Sequence, residues 1–259
     1  MKTTILFVFL LLPISIISQD VFFAIPERAS TSPYNCFPFG FNNPLNLKHT
    51  ESFDATFLLS PSKFLIPELN SVASNLNFTL SDGSNIGVNV AFLGTKKFQY
   101  GNFKLSAQKI LLQNFNIATS LNINMLSIET YGHKMNLSWD TFVEYLAFSN
   151  LTFSFAYKNL LGLNNFINSI ANVGLQTNWF KDYTIGAEAK IVFKQYTSYI
   201  FYVTFQPFEN LYLDFNIQTR PPTLTSGVAY QFNDFAISLF LEYNNYLMFT
   251  QTLALILKF

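Results

Sequence analysis

Few residues in this chain could do covalent chemistry. There are two histidines and one cysteine. His133 lies in Tyr131-Gly132-His133-Lys134, and Ser138 follows shortly after. A hydroxyl nucleophile needs a base beside it. Ser138 is expected to point inward from a strand, whereas His133 reads as a loop residue with no acidic side chain placed to orient it. The pair is therefore not expected to be catalytic, and the chain is not expected to be an enzyme. His49, in Leu47–Glu51, reads as a solvated loop residue. No cluster has metal-ligand spacing. No glycine-rich phosphate loop or nucleotide fingerprint occurs, so no cofactor is expected. Cys36 has no second cysteine to pair with and reads as a half-buried structural thiol.

The more informative polar residues recur at every second position. They include Lys104, Asp140, Glu144, Lys158, Glu188, Lys190, Asp214 and Glu242, with Asn89, Gln108, Asn116, Asn122, Asn124, Asn172, Gln176 and Asn216 between them. A period of two sends successive side chains to opposite faces of a strand. In Asn114–Met125 one face is Phe115, Ile117, Thr119, Leu121, Ile123 and Met125, and the other is amide-rich. Asn210–Gln218 and Tyr183–Lys194 alternate in the same way. Segments of this kind number about fourteen: 52–59, 72–81, 84–94, 99–109, 113–126, 135–147, 150–160, 170–180, 182–194, 197–206, 209–219, 223–232, 234–244 and 246–259. Most have the roughly 9–11 residues that a tilted strand needs to cross a bilayer.

Half the chain is hydrophobic, with 31 Phe and 13 Tyr. That is more apolar surface than a soluble domain hides easily. A barrel facing lipid uses it as a belt edged by aromatic girdles. The fold class expected is therefore all-β: a transmembrane, antiparallel, up-and-down β-barrel of about fourteen strands. Its partner is outer-membrane lipid. A charge on the lipid face costs roughly 2–4 kcal/mol near the midplane, so the charged face belongs to the lumen. Two luminal readings stay open, an ion-selective channel and a packed network of ion pairs and amides. Mixed signs and abundant asparagine favour the second. Tyr202, Tyr212, Phe142 and Phe240 share the inner face. Formal charge is zero, from 15 basic and 15 acidic residues. No basic stripe suggests nucleic acid as a partner.

Residues 1–18, a basic start followed by Ile5–Leu12, read as a secretory signal peptide. Residues 19–50 read as an N-terminal segment that enters or plugs the lumen, and 51–259 as the barrel. Turns such as Asp82-Gly83-Ser84 and Pro207-Phe208-Glu209 alternate with longer connections such as Ser60–Ser71, Ser127–Lys134 and Leu161–Ser169. The longer set falls on one side, as expected of outer-surface loops. Both termini are then expected in the periplasm.

The last strand carries Leu253, Leu255, Leu257 and Phe259 on one face. This resembles the insertion signal of bacterial outer-membrane barrels and implies the barrel-assembly machinery as a partner. Arg28-Ala29 and Asn43-Pro44-Leu45 resemble the start of mature fatty-acid-transporter-type (FadL) barrels and of the related PorV and PorQ proteins of type IX secretion. The Phe153–Gly162 segment is similar to a mid-barrel strand of that family. The resemblance implies one of two jobs. One is a PorV/PorQ-like accessory that binds partner or cargo proteins of a secretion system. The other is a FadL-like channel for a hydrophobic ligand. The short loops, and the little room left for a large N-terminal hatch, favour the first. A structural or small-solute barrel is a further alternative.

Overall fold

A computed structural model describes residues 28–32, 34, 36–49, 52–61, 69–95, 97–160, 168–180, 182–244 and 248–259. The proposed signal peptide lies outside them. So do Lys181, Tyr246 and Leu247 and most of two of the longer connections.

Among the described residues the chain forms fourteen strands. They are β1 (Phe53–Ser60), β2 (Asn70–Thr79), β3 (Asn85–Gly94), β4 (Phe98–Leu112), β5 (Phe115–Ile128), β6 (Gly132–Phe148) and β7 (Leu151–Lys158). The second half holds β8 (Ile170–Phe180), β9 (Tyr183–Val192), β10 (Tyr196–Phe208), β11 (Leu211–Thr219), β12 (Pro222–Gln231), β13 (Phe235–Asn244) and β14 (Met248–Lys258). Each pairs antiparallel with its sequence neighbours, and β1 pairs with β14 to close the barrel. Closure leaves no sheet edge unpaired, which is the only way a sheet can satisfy its backbone inside a bilayer.

The alternation read from the sequence sets which side chains face inward. On β5, Asn116, Ala118, Ser120, Asn122, Asn124 and Leu126 are buried, while Leu121 and Met125 are exposed. The outer wall is apolar nearly throughout, with Phe57, Val90, Phe103, Trp139, Phe155, Val173, Ile185, Phe201, Ile217 and Leu241 all exposed. No described helix is long and apolar enough to cross a membrane. The apolar belt lies on the strands.

The barrel closes on aromatic and backbone contacts at the C-terminus. Phe259 donates its N–H to the Phe53 carbonyl at 2.9 Å, and its ring lies 5.4 Å from that of Phe53. Phe53 in turn sits 4.9 Å from Phe78 on β2. Leu253, Leu255 and Leu257 pair with Leu59, Phe57 and Ala55 across the seam.

The two rims differ. At the rim that holds the C-terminus the connections are 80–84, 113–114, 149–150, 181–182, 209–210 and 232–234. At the far rim they are 61–69, 95–97, 129–131, 159–169, 193–195, 220–221 and 245–247. All four register shifts, at Ile110/Leu112, Leu146/Phe148, Thr177/Phe180 and Phe205/Phe208, lie beside C-terminal-rim turns. An extra residue there adds local twist and tightens the corner.

Ser127–Lys134 is not the long loop expected. The β5–β6 ladder continues through Leu126↔Lys134, Ser127↔His133 and Ile128↔Gly132. Gly132, at φ 81°, supplies the left-handed turn that makes this possible. His133 therefore sits in a strand. His133 and Ser138 fall on opposite faces of β6 by the period of two, so they do not form a dyad.

Candidate functional site

The described residues of the N-terminal segment, from Arg28 onward, lie inside the barrel, and their side chains are matched to two different luminal walls. Arg28 is the first described residue to contact the polar wall. Its Nη2 donates to Asp214 at 2.7 and 2.8 Å, and its Nη1 donates to Thr204 Oγ1 at 3.2 Å. Thr204 donates in turn to Asp214 at 2.6 Å. The guanidinium lies 3.9 Å from the centre of the Tyr202 ring and 4.9 Å from that of Phe39. Arg28 and Asp214 are both buried. A planar guanidinium suits this place because it binds a carboxylate with two bonds and stacks on rings.

The next residues use their backbone. Ala29 N–H donates to Glu188 at 2.8 and 3.0 Å, and Ser30 donates to it from both N–H and Oγ, at 3.2 and 3.0 Å. Thr31 donates to Glu144 from its N–H at 3.0 Å and its Oγ1 at 2.6 Å. Three luminal carboxylates thus hold four consecutive residues of the segment. Tyr202 adds a hydroxyl contact to Ser30 and donates to Gln176 at 3.0 Å.

Asn43 shapes the segment from behind. Its side-chain amide lies 3.1, 2.9 and 3.1 Å from the carbonyls of Arg28, Ala29 and Ser30. Its Oδ1 accepts the N–H of Leu45 at 3.0 Å and so caps the short helical turn Pro44–His49. Pro44 occupies the first position of that turn, where a missing N–H costs nothing. The Arg-Ala and Asn-Pro-Leu motifs of the sequence are therefore two halves of one packed unit, joined by Asn43.

The opposite wall is apolar. Cys36, Phe37 and Phe39 pack with Leu58, Leu69, Ala73, Ala91, Leu93, Tyr100, Leu126, Ala229, Ala236, Phe240, Ala254 and Ile256 in one buried cluster. Tyr34, Tyr212, Phe98 and Ile128 flank it. Alanines on the wall make room for the phenylalanines of the segment. Cys36 is fully buried rather than half-buried, because the ring cluster closes over it. Burial also pushes its thiol pKa far above the ordinary value.

Seven of the eight charged residues assigned to the lumen are buried: Lys104, Asp140, Glu144, Lys158, Glu188, Lys190 and Asp214. Glu242 is half-buried. Asp140 stays within the barrel wall. It accepts from Asn159 N–H at 2.8 Å, Asn122 at 2.9 Å and Ser120 at 3.3 Å, and so fixes the end of β7. Lys158 Nζ lies 5.7 Å from the centre of the Phe142 ring. Lys104, Lys158, Lys190 and Glu242 are each engaged by neighbours. An amide chain runs from Thr79 through Asn85 and Gln108 to Asn116. Among the described residues no group of three or more His, Cys, Asp or Glu could hold a metal ion.

Glycines at two inward positions were not singled out in the sequence, yet both matter. A Cβ at Gly186 would lie 2.1 Å from Tyr202 Cζ, and one at Gly227 would lie 2.6 Å from Phe240 Cε1. Each ring closely approaches the glycine directly opposite it on the adjacent strand. A glycine facing an aromatic on the inner side of alternating strands was a legible signal of close approach.

No protein-family model matches the chain, and no curated protein matches it significantly. Solved structures do. The Pseudomonas putida toluene transporter TodX superposes with a TM-score of 0.63 at 10% identity, covering 91% of this chain and 97% of that one. A Pseudomonas aeruginosa FadL homologue gives 0.61 at 9%, covering 87% and 95%. The Acinetobacter baumannii outer membrane protein Omp33 gives 0.56 at 12%, covering 80% and 98%. What this chain shares with them is the fold. It is a closed fourteen-stranded antiparallel barrel of the outer-membrane type, and its structural neighbours include FadL-type barrels.

Proposed function

We propose that this protein is an outer-membrane channel for a hydrophobic small molecule, with residues 28–49 as its internal plug and the C-terminal rim in the periplasm. One observation carries the reading. The larger apolar cluster runs along one side of the lumen, from Tyr212 and Ile256 near the C-terminal rim, through Phe240 and the plug's Phe37 and Phe39, to Leu93, Tyr100, Leu126, Phe98 and Ile128 toward the far rim. A polar solute gains nothing from such a strip, whereas an apolar one stays out of water along it. Two further points support the reading: the fold is shared with a toluene transporter and a FadL homologue, and the longest connections gather at the far rim.

The described part of the segment supports a small hatch, since Asn43 binds the carbonyls of Arg28, Ala29 and Ser30 and folds it back on itself. That removes one reason for preferring a PorV/PorQ-like accessory of type IX secretion. The motif residues Arg28, Asn43 and Pro44 fit either branch.

The test is uptake of naphthalene by cells expressing the protein, compared with cells carrying Leu126→Asp. A carboxylate in the strip is expected to reduce uptake by roughly tenfold or more, the equivalent of about 1.4 kcal/mol. Heat-modifiable gel migration should be retained. Uptake equal to that of cells lacking the protein would contradict the channel. Co-purification with secretion components, with cargo export lost on deletion, would favour the accessory instead.

A further inference from the structure

Charged residues outside the lumen are divided unevenly between the rims. Among the described residues the far rim exposes Lys97, Lys134, Lys194 and Arg220 against the single acid Glu129. The C-terminal rim exposes Asp82, Asp182, Glu209 and Asp234. Its Lys109 is already paired with Asp82 at 2.8 Å. None of the four far-rim cations is in an ion pair with another described residue.

Lys194 and Arg220 stand out because they cap adjacent hairpins above an apolar wall. Lys194 is in the turn between β9 and β10, at φ 64°, and Arg220 is in the turn between β11 and β12. Two strand spacings, roughly 10 Å, separate the hairpins. The turns are tied together: Arg220 N–H donates to Ser198 Oγ at 3.0 Å, and Tyr199 N–H donates to Thr219 Oγ1 at 2.9 Å. Below them the outward face exposes Phe193, Tyr199, Phe201, Ile217 and Leu224. From the rim inward the order is cation, then the rings of Phe193 and Tyr199, then the apolar level of Phe201, Ile217 and Leu224. That is the order of phosphate, interfacial carbonyls and acyl chain in a membrane lipid.

We propose that Lys194 and Arg220 bind the phosphate of an outer-leaflet lipid whose acyl chains lie along Tyr199, Phe201 and Ile217. This site lies on the outside of the barrel and is separate from the luminal strip. It requires only that the far rim face outward. Two cations at an interface attract a phosphate more strongly than a neutral headgroup, and rings at this depth hold the upper chain.

Native mass spectrometry of the purified protein tests it. The probes are lipid A, the same lipid without its phosphates, and inorganic phosphate. The wild-type protein is expected to retain lipid A. Lys194→Gln/Arg220→Gln should weaken retention by roughly tenfold or more. Lys194→Arg/Arg220→Lys should keep it, as should Lys109→Gln at the other rim. Heat-modifiable migration identifies the folded fraction of each variant, and each single substitution can replace a double that does not fold. Equal retention of the dephosphorylated lipid, or unchanged retention in the double variant, would overturn the proposal. So would binding of inorganic phosphate that matches lipid A in affinity.

Discussion

Asp214→Ala is expected to cost the folded protein about 3–5 kcal/mol, the largest effect of any single luminal substitution. Arg28 would keep its charge in a buried place and lose both strong acceptor bonds at once. Thr204, which donates to Asp214 and accepts from Arg28, would lose its role as a bridge. Because Arg28 begins the described part of the plug, the contacts of Ala29, Ser30 and Thr31 to Glu188 and Glu144 should weaken with it. Urea unfolding, followed by the loss of heat-modifiable migration, measures the cost. The double variant Arg28→Met/Asp214→Leu should recover most of it. A buried pair replaced whole by apolar groups leaves no charge stranded, whereas removal of one member does. A loss under about 0.5 kcal/mol for Asp214→Ala, the range of ordinary surface substitutions, would mean that the pair does not hold the plug.

Gly186→Ala should come second, at about 1–3 kcal/mol or more. One methyl group here meets the Tyr202 ring at its Cζ, Oη and Cε2 atoms. The ring is not free to move, because Arg28 lies over it at 3.9 Å. Its hydroxyl is also tied to Ser30 and to Gln176. Relief must therefore come from the plug, and the cost should be smaller in a background that already carries Tyr202→Ala. Equal destabilisation in the two backgrounds would show that the close approach is not the cause. The same unfolding assay reads both variants.

These two sites show what the sequence made legible. The barrel is a matter of period, and period is local. Alternation from Phe53 to Lys258 fixed the strand count and the inward set, including Glu188 and Asp214, because one misplaced residue would send a charge into lipid. Turns were less legible. Gly132 shortened the Ser127–Lys134 connection by adopting a left-handed conformation that composition alone does not announce. The plug was visible only as a stretch ahead of the first strand, with two short motifs. That Arg28 meets Asp214, 186 residues away, depends on barrel closure and on shear, and neither is written in a local pattern. Nor does the chain reveal by alternation that Ala29 and Ser30 offer backbone N–H groups to Glu188. That geometry is set by Asn43, which folds the segment back on itself. The apolar wall was hinted at by Phe142, Phe240, Tyr202 and Tyr212. Tyr202 joined the polar side instead, under Arg28, and Phe142 joined a separate apolar cluster with Ala29, Leu45, Ala118 and Ala156.

The rate of Cys36 alkylation by a polar maleimide is the most direct measurement of whether the segment is docked in the lumen. Cys36 is the only thiol in the chain, it is closed in by Phe37, Phe39 and Phe240, and burial keeps it protonated. In the heat-modifiable, folded protein the reaction should run roughly hundredfold or more slower than in urea, given that each factor of ten corresponds to about 1.4 kcal/mol of docking. Asp214→Ala should fall between the two. A folded barrel that is alkylated as fast as the unfolded chain would show an empty lumen and would contradict the plug.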